Sequence, residues 1–211
     1  MSFDHLAPHY GRLERWLAGA GMHRARIALL NELKDPGHIL IVGEGPGRFL
    51  VECRRRFPTT QITCIDASPR MLQLARERLK RSGLGEDDVC FVRADLLNWQ
   101  PPPGIADVVV TNFVLDCFDV HELPTVIRTL SRAAAPDARW LLADFQIPAT
   151  GFWRWRALVM VRMLYVFFRW TTKLSADRLV SPDEYLRLAK FKRVLRRQTD
   201  GGLLRSELWS R

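Results

Sequence analysis

The sequence predicts an α/β fold, a seven-stranded, mostly parallel sheet with helices on both faces. Three observations carry that reading. Short apolar runs and amphipathic stretches alternate along residues 38–145, the pattern of successive βαβ units. The apolar runs are continuous, as strands buried on both faces require. The chain closes on two strand-like runs around Asp200-Gly201-Gly202, a hairpin signal at the end of the sheet.

Residues 5–34 read as one or two helices, broken near Gly19-Ala20-Gly21, and Asp35-Pro36-Gly37 is a turn signal. His38–Val42 is the first strand, ended by Gly43, and Arg48–Phe57 is a helix stopped by Pro58. Gln61–Ile65 is the second strand, ending at Asp66. Ser68-Pro69 starts a helix, with Pro at the first helical position, that runs to about Ser82-Gly83. Val89–Val92 is the third strand, ending at Asp95, and the Val-rich Ala106–Thr111 is the fourth. Leu123–Ala135 is helical and Arg139–Phe145 is the fifth strand. Phe152 to about Lys173 is a strongly apolar helix, and Ser181-Pro182-Asp183-Glu184 opens another that ends by Lys190. Phe191–Gln198 and Leu203–Trp209 are the closing strands.

Apolar residues make up 47% of the 211 and charged residues 26%, which excludes a fibrous, collagen-like or mainly disordered chain. The length predicts a single domain, residues 1–211. Within it we distinguish a helical cap (1–34), a ligand-binding core (35–150), an apolar basic helical insertion (151–180) and a terminal helix with hairpin (181–211). Cys53, Cys64, Cys90 and Cys117 form no C-x-x-C pair, and His5, His9, His23 and His38 show no metal pattern. The reading predicts no metal and no disulfide framework, hence a reducing cytoplasm, with the strand cysteines serving as core residues. The opening MSFDHLAPHYGRLERWL lacks the basic start and apolar run of a signal peptide.

The net charge of +9 is segregated. Residues 1–150 hold 18 Lys/Arg and 18 Asp/Glu, whereas 151–211 hold 14 and 5. That asymmetry predicts a local anionic partner: a membrane surface, an acidic substrate or nucleic acid.

Between the first strand and its helix lies Gly43-Glu44-Gly45-Pro46-Gly47-Arg48. Glycines let a backbone turn sharply and approach a ligand, and the following helix offers free N–H groups. The sixth position of a dinucleotide fingerprint needs Gly; here it is Arg48, which disfavours NAD. Asp66 closes the second strand, where a carboxylate in an open α/β sheet takes a ribose hydroxyl pair. Asp95 ends the third strand and can accept from an exocyclic adenine amine. Glycine turn, Asp and Asp on three successive strand ends point to an adenosine-containing ligand.

The set ILIVGEGPGRFL, ITCIDASPRMLQLARERL, CFVRADL and ADVVVTNF resembles the motifs of the class I S-adenosylmethionine-dependent methyltransferases, over roughly residues 35–150. The resemblance implies a Rossmann-like fold with S-adenosylmethionine as cofactor. Gly43, Gly45 and Gly47 would then hold its methionine part, Asp66 with Ala67 the ribose, and Met71 would pack near the adenine. Asp95 and the backbone of Leu96 would read the adenine edge, Asn112 and Phe113 would line the cofactor floor, and Tyr10 would close over the site. Family members often carry an acidic residue two before the first glycine; here that position is Ile41, and Glu44 would compensate near the ammonium. Phe3-Asp4-His5-Leu6-Ala7-Pro8-His9-Tyr10 is similar to the opening of the ubiquinone/menaquinone-type members. After the fourth strand, Phe113-Val114-Leu115-Asp116-Cys117 stands where that group has F-G-L-R-N.

Methyl transfer from a sulfonium mainly needs a positioned nucleophile, plus a base where that nucleophile must lose a proton. Asp116 is the first candidate base, His121 the second and Asp144 the third. Each has a plainer role: Asp116 or Asp119 could cap the coming helix, His121 could be a surface histidine, and Asp144 could orient backbone. In the apolar insertion, Arg154, Arg162, Arg169 and Lys173 fall on one helical stripe. Its arginines rule out a membrane span. The insertion could line a pocket for a small hydrophobic or lipid-like acceptor, or lie peripherally on a membrane through residues 152–173. A dimer interface or an ordinary buried helix is the alternative. Lys190, Lys192, Arg193, Arg196 and Arg197 form a basic cluster, so RNA methylation stands as the runner-up, and a non-catalytic cofactor-binding subunit as the third reading.

Overall fold

The computed structural model describes residues 19–172 and 178–211. Its centre is a seven-stranded sheet in the order β3-β2-β1-β4-β5-β7-β6. The strands are β1 (His38–Val42), β2 (Gln61–Asp66), β3 (Val89–Arg93), β4 (Ala106–Asn112), β5 (Ala134–Phe145), β6 (Lys192–Thr199) and β7 (Leu204–Ser210). The first five run parallel. β7 inserts antiparallel between β5 and the edge strand β6, so the predicted hairpin closes the sheet.

Side chains of successive strand residues go to opposite layers. On one face Ile39, Ile41, Ile62, Cys64, Val108 and Val110 pack against α2 (Arg48–Arg56) and α3 (Pro69–Arg81) through Phe49, Leu50, Cys53, Ala75 and Leu79. On the other, Leu40, Val42, Ile65, Val109, Trp140 and Leu142 meet α4 (Leu123–Ala133) through Leu123, Val126, Ile127 and Leu130. This two-sided burial is why β1 reads as an unbroken apolar run. Truncating a core leucine such as Leu50 to Ala should cost about 2–5 kcal/mol. The Ser68 cap is formed: its Oγ accepts from Met71 N at 3.2 Å, with Pro69 following.

One element boundary differs clearly from the sequence reading, that of β5, and another lies at the edge of the described residues. Near the expected break at Gly19–Gly21 the described residues begin in a helix, α1 (Gly19–Ile27), which includes all three of those residues; what precedes Gly19 lies outside the described residues. There Gly21 allows a close approach: a Cβ on it would sit 3.3 Å from Leu204 Cδ1. β5 begins at Ala134, five residues before Arg139, through a register shift opposite Ala106 and Val108; Pro136, lacking an N–H, hid it. The remaining helices are α5 (Gly151–Thr172) and α6 (Asp183–Leu188).

Candidate active site

β1 is hydrogen-bonded to both β2 and β4, so the strand order reverses there. Ligands of open α/β sheets bind at such a switch point, outside the carboxyl ends of the strands. The registers bring those ends to one rim: Val42 pairs with Ile65 and Thr111, Asp66 with Arg93, and Asn112 with Ala143.

The glycine turn is built by packing as much as by torsion. A Cβ on Gly43 would meet Val114 Cγ2 at 2.6 Å, and one on Gly47 would meet the Ala75 backbone at 2.6 Å. Those two glycines press the turn against its own protein. Gly45 has φ +63 as well, yet a Cβ there meets nothing within 4 Å. It is the glycine that faces open space. Asp66 ties the turn to β2, because its Oδ2 accepts from Gly45 N at 3.1 Å and its Oδ1 from Ser68 N at 2.9 Å. Both bonds are accepted by an acceptor-only carboxylate, the group type that also suits a pair of hydroxyl donors.

Glu44 does not point away from the turn. Its Oε1 accepts from Phe49 N and Leu50 N, both at 3.0 Å. The carboxylate therefore fills the anion position at the α2 N-terminus that a dinucleotide phosphate would take. Burial pushes its pKa up to about 7, against the pull of those N–H groups and of Arg26. Arg26, on α1, also lies 5.2 Å over the Phe113 ring. Nothing in the sequence pattern singled Arg26 out, since only tertiary packing brings α1 to the rim.

After β4 the backbone is strained. Phe113 has φ +56, a cost of order 1–3 kcal/mol for a bulky residue. It is held by Phe113 N donating to Ala143 O at 2.8 Å and by its ring against Phe145 at 5.1 Å. Asn112 is buried, and its Nδ2 has no hydrogen-bond partner among the described residues. Met71 and Leu96 are buried beside the rim, and Ala67 follows Asp66 half-buried. Asp95 is exposed, its Oδ1 taken by Leu97 N at 3.1 Å. Tyr10 lies outside the described residues.

The three candidate bases separate. Asp116 sits in the short 3-10 turn Leu115–Cys117, and burial raises its pKa to about 6. Asp144, at the end of β5, is raised well above the usual carboxylate range by burial and by Asp116, while Arg205 opposes the shift. Its Oδ1 accepts from Phe145 N at 2.8 Å, but its Oδ2 is buried with no partner among the described residues. Arg205 is its register partner on β7 and donates to Asp183 Oδ1 at 2.6 Å. His121 is an exposed turn residue whose N–H donates to Asp119 Oδ1 at 2.7 Å. Asp119, which also accepts from Glu122 N at 2.9 Å, is the helix-entry residue. Asp116 does not cap that helix.

Cys117, with Asp116, Asp144 and Asp66 acting on it and burial as the largest cause, has its thiol pushed far above the ordinary value. It stays protonated, like the buried Cys53 and Cys64. α5 covers this corner: Tyr165 donates its hydroxyl to Asp116 O at 2.8 Å, and Val161 and Leu164 pack with Phe113, Cys117 and Phe145. Among the described residues no group of three or more His, Cys, Asp or Glu could hold a metal ion.

Residues 39–137 match the family model described as "Methyltransferase domain". The chain is 38% identical over 105 residues to the trans-aconitate 2-methyltransferase of Paracidovorax citrulli, covering 49% of this chain and 37% of that relative. It is 30% identical over 151 residues to the demethylmenaquinone methyltransferase of Deinococcus radiodurans, covering 71% and 61%. Both matches thus span less than two thirds of the relative's own length. Among solved structures, the fold is similar to the 1,6-didemethyltoxoflavin-N1-methyltransferase of Burkholderia thailandensis, solved with its acceptor and S-adenosylhomocysteine bound. There the TM-score is 0.68 at 19% identity, over 96% of this chain and 83% of that one.

Proposed function

We propose that this chain, whose residues 39–137 match a methyltransferase domain, moves the methyl group of S-adenosylmethionine to a small hydrophobic or lipid-like acceptor whose nucleophile bears a proton. The observation that carries this reading is the Gly45–Asp66 bridge at the switch point of the sheet, with Asp116 after β4 and Asp144 at the end of β5, one and two strands further along the same rim. The chain's residues fit the cofactor. Gly45 opens onto free space, Asp66 is an acceptor carboxylate at the end of β2, and Asn112 Nδ2 is a buried donor without an acceptor among the described residues. Dinucleotide phosphates are disfavoured because Glu44 fills the α2 N-terminus.

The sulfonium supplies an activated methyl and a neutral leaving group. The protein's task is therefore orientation, which can contribute about 7–11 kcal/mol of barrier reduction. Asp66 and the Gly43–Gly47 turn hold the cofactor end. Phe113, Phe145 and the buried face of α5 exclude water at the acceptor end. Asp116 accepts the acceptor's proton; with its pKa near 6 it is ionised at neutral pH yet basic enough to help. Asp144 fixes the local field and lends a second oxygen to a hydroxyl or N–H donor.

The RNA reading loses support from the geometry of β6. Arg193 is paired with Asp183 at 2.9 Å and Glu207 at 3.4 Å, Arg196 with Glu207 at 3.4 Å, and Arg197 with Glu32 at 3.1 Å. Much of that basic cluster answers the protein's own acids. The test is calorimetry with S-adenosylhomocysteine on the wild type and Asp66→Ala. Labelled cofactor is then incubated with a lipid extract and with total RNA in parallel. We expect binding lost in Asp66→Ala and label in the small-molecule or lipid fraction. Label in RNA alone would overturn the acceptor class, and binding without turnover on any extract would favour a non-catalytic subunit.

A further inference from the structure

α5 has two apolar faces, and the fold uses one. Ala157, Val161, Leu164 and Tyr165 are buried against Phe113, Phe145 and Leu204. On the far side Phe152, Trp155, Val159, Met163 and Val166 stand 67%, 64%, 40%, 59% and 64% exposed. At 100° per residue those five fall within about 80° of arc, opposite the buried quartet, over a length of about 21 Å. An ordinary surface helix puts charge there. A contiguous exposed stripe of this kind marks an interaction surface.

We propose that this stripe is an interfacial membrane-docking face that seats the protein on an anionic lipid surface. Residues 151–176 contain Arg154, Arg156, Arg162, Arg169 and Lys173 and no acidic residue. Arg154 and Arg162 are exposed, and Arg162 adjoins the stripe. Arg156 is anchored to Asp200 at 3.0 Å, which fixes the start of the helix to the β6–β7 connection. Phe and Trp flanked by Arg suit the boundary between headgroups and acyl chains, and each cation near an anionic leaflet adds to binding. A second copy of the chain would bring the same positive charge to the same patch, so self-association is electrostatically opposed. No helix among the described residues is long and apolar enough to cross a membrane, so α5 lies in the interface plane.

The experiment is co-flotation with phosphatidylcholine vesicles and with phosphatidylcholine/phosphatidylglycerol vesicles, read alongside tryptophan emission. We expect flotation and a blue shift only with the anionic vesicles. Trp155→Glu with Met163→Glu should weaken binding about tenfold or more, and Arg162→Gln about fivefold. S-adenosylhomocysteine binding by calorimetry should be unchanged in these variants, which separates a docking defect from a damaged core. Flotation with neither vesicle, or equally with both, would overturn the proposal. So would a double variant that floats like the wild type, or a wild-type dimer in sedimentation that the double variant dissolves.

Discussion

Glu44→Gln should make the protein more stable and a worse cofactor binder, with both effects set by pH. In the native state the pKa of Glu44 is about 7 against an ordinary 4.5, chiefly because of burial. Between those values the folded chain binds the proton more tightly than the unfolded chain. Stability therefore falls as pH rises from about 4.5 to 7 and levels off above. The full shift corresponds to about 3 kcal/mol, trimmed by solvent screening because the side chain is only half-buried. Gln keeps an oxygen for Phe49 N and Leu50 N and cannot ionise. Urea titrations should show Glu44→Gln gaining about 1–3 kcal/mol over wild type at pH 8, with a flatter profile between pH 5 and 7. Binding runs the other way if the carboxylate meets the ligand's ammonium. At pH 6 about a tenth of the Glu44 groups are ionised, so wild-type affinity for S-adenosylhomocysteine should be about tenfold weaker than at pH 8. The variant should bind weakly with no such slope. Identical pH profiles for wild type and variant, in stability and in binding, would refute the reasoning.

Three further outcomes follow from the same rim. Asp66→Ala removes acceptors from Gly45 N and Ser68 N; we expect no measurable calorimetric binding and a loss of about 1–3 kcal/mol in denaturant titration. Asp116→Asn should leave S-adenosylhomocysteine binding intact while turnover drops about 100-fold or more; wild-type turnover should rise about tenfold per pH unit up to pH 6 and then level, since Asp116 accepts a proton only when ionised. Gly47→Ala drives a Cβ into the Ala75 backbone at φ +81 and should cost about 2–5 kcal/mol, whereas Gly45→Ala carries only the torsional strain, about 1–2 kcal/mol, and should show its larger effect in cofactor affinity.

What was legible in the sequence is what depends on local chemistry. Burial on both faces makes β1 and β4 continuous apolar runs, Ser68-Pro69 encodes its own cap, and the glycines of 43–47 announce positive φ. The strand-end acids Asp66 and Asp144 could be placed because a parallel sheet puts all carboxyl ends on one rim. Packing decided the rest. Gly21 lies inside α1, where a Cβ would come within 3.3 Å of Leu204 Cδ1, a close approach that the sequence cannot show without the partner. Arg26 and Tyr165 reach the site from α1 and α5, across large sequence separations. The sequence places His121 before Asp144 among the candidate bases; the fold leaves the histidine exposed and buries the aspartate.

The charge segregation shows the same division of levels and corrects its own first reading. Fourteen basic residues against five acidic in 151–211 predict a local anionic partner. In the fold that excess splits into two populations with different physics. Around β6 and β7, Arg193, Arg196 and Arg205 surround the buried Glu207 and the partly buried Asp183. These charges answer the protein's own acids: Glu207 is buried beneath all three arginines, and Asp183 meets Arg193 and Arg205, so each carboxylate has more than one cation to offset its desolvation. Arg205 among them pairs in register with Asp144 at the end of β5 and offsets its charge, so its role is positional. Along α5, by contrast, Arg154 and Arg162 stand beside exposed apolar surface, and residues 151–176 contain no acid to answer them. A partner attracted by the C-terminal charge should therefore be sensitive to salt through Arg154 and Arg162 and indifferent to the β6 arginines, whose loss should appear instead as lowered stability and slowed turnover.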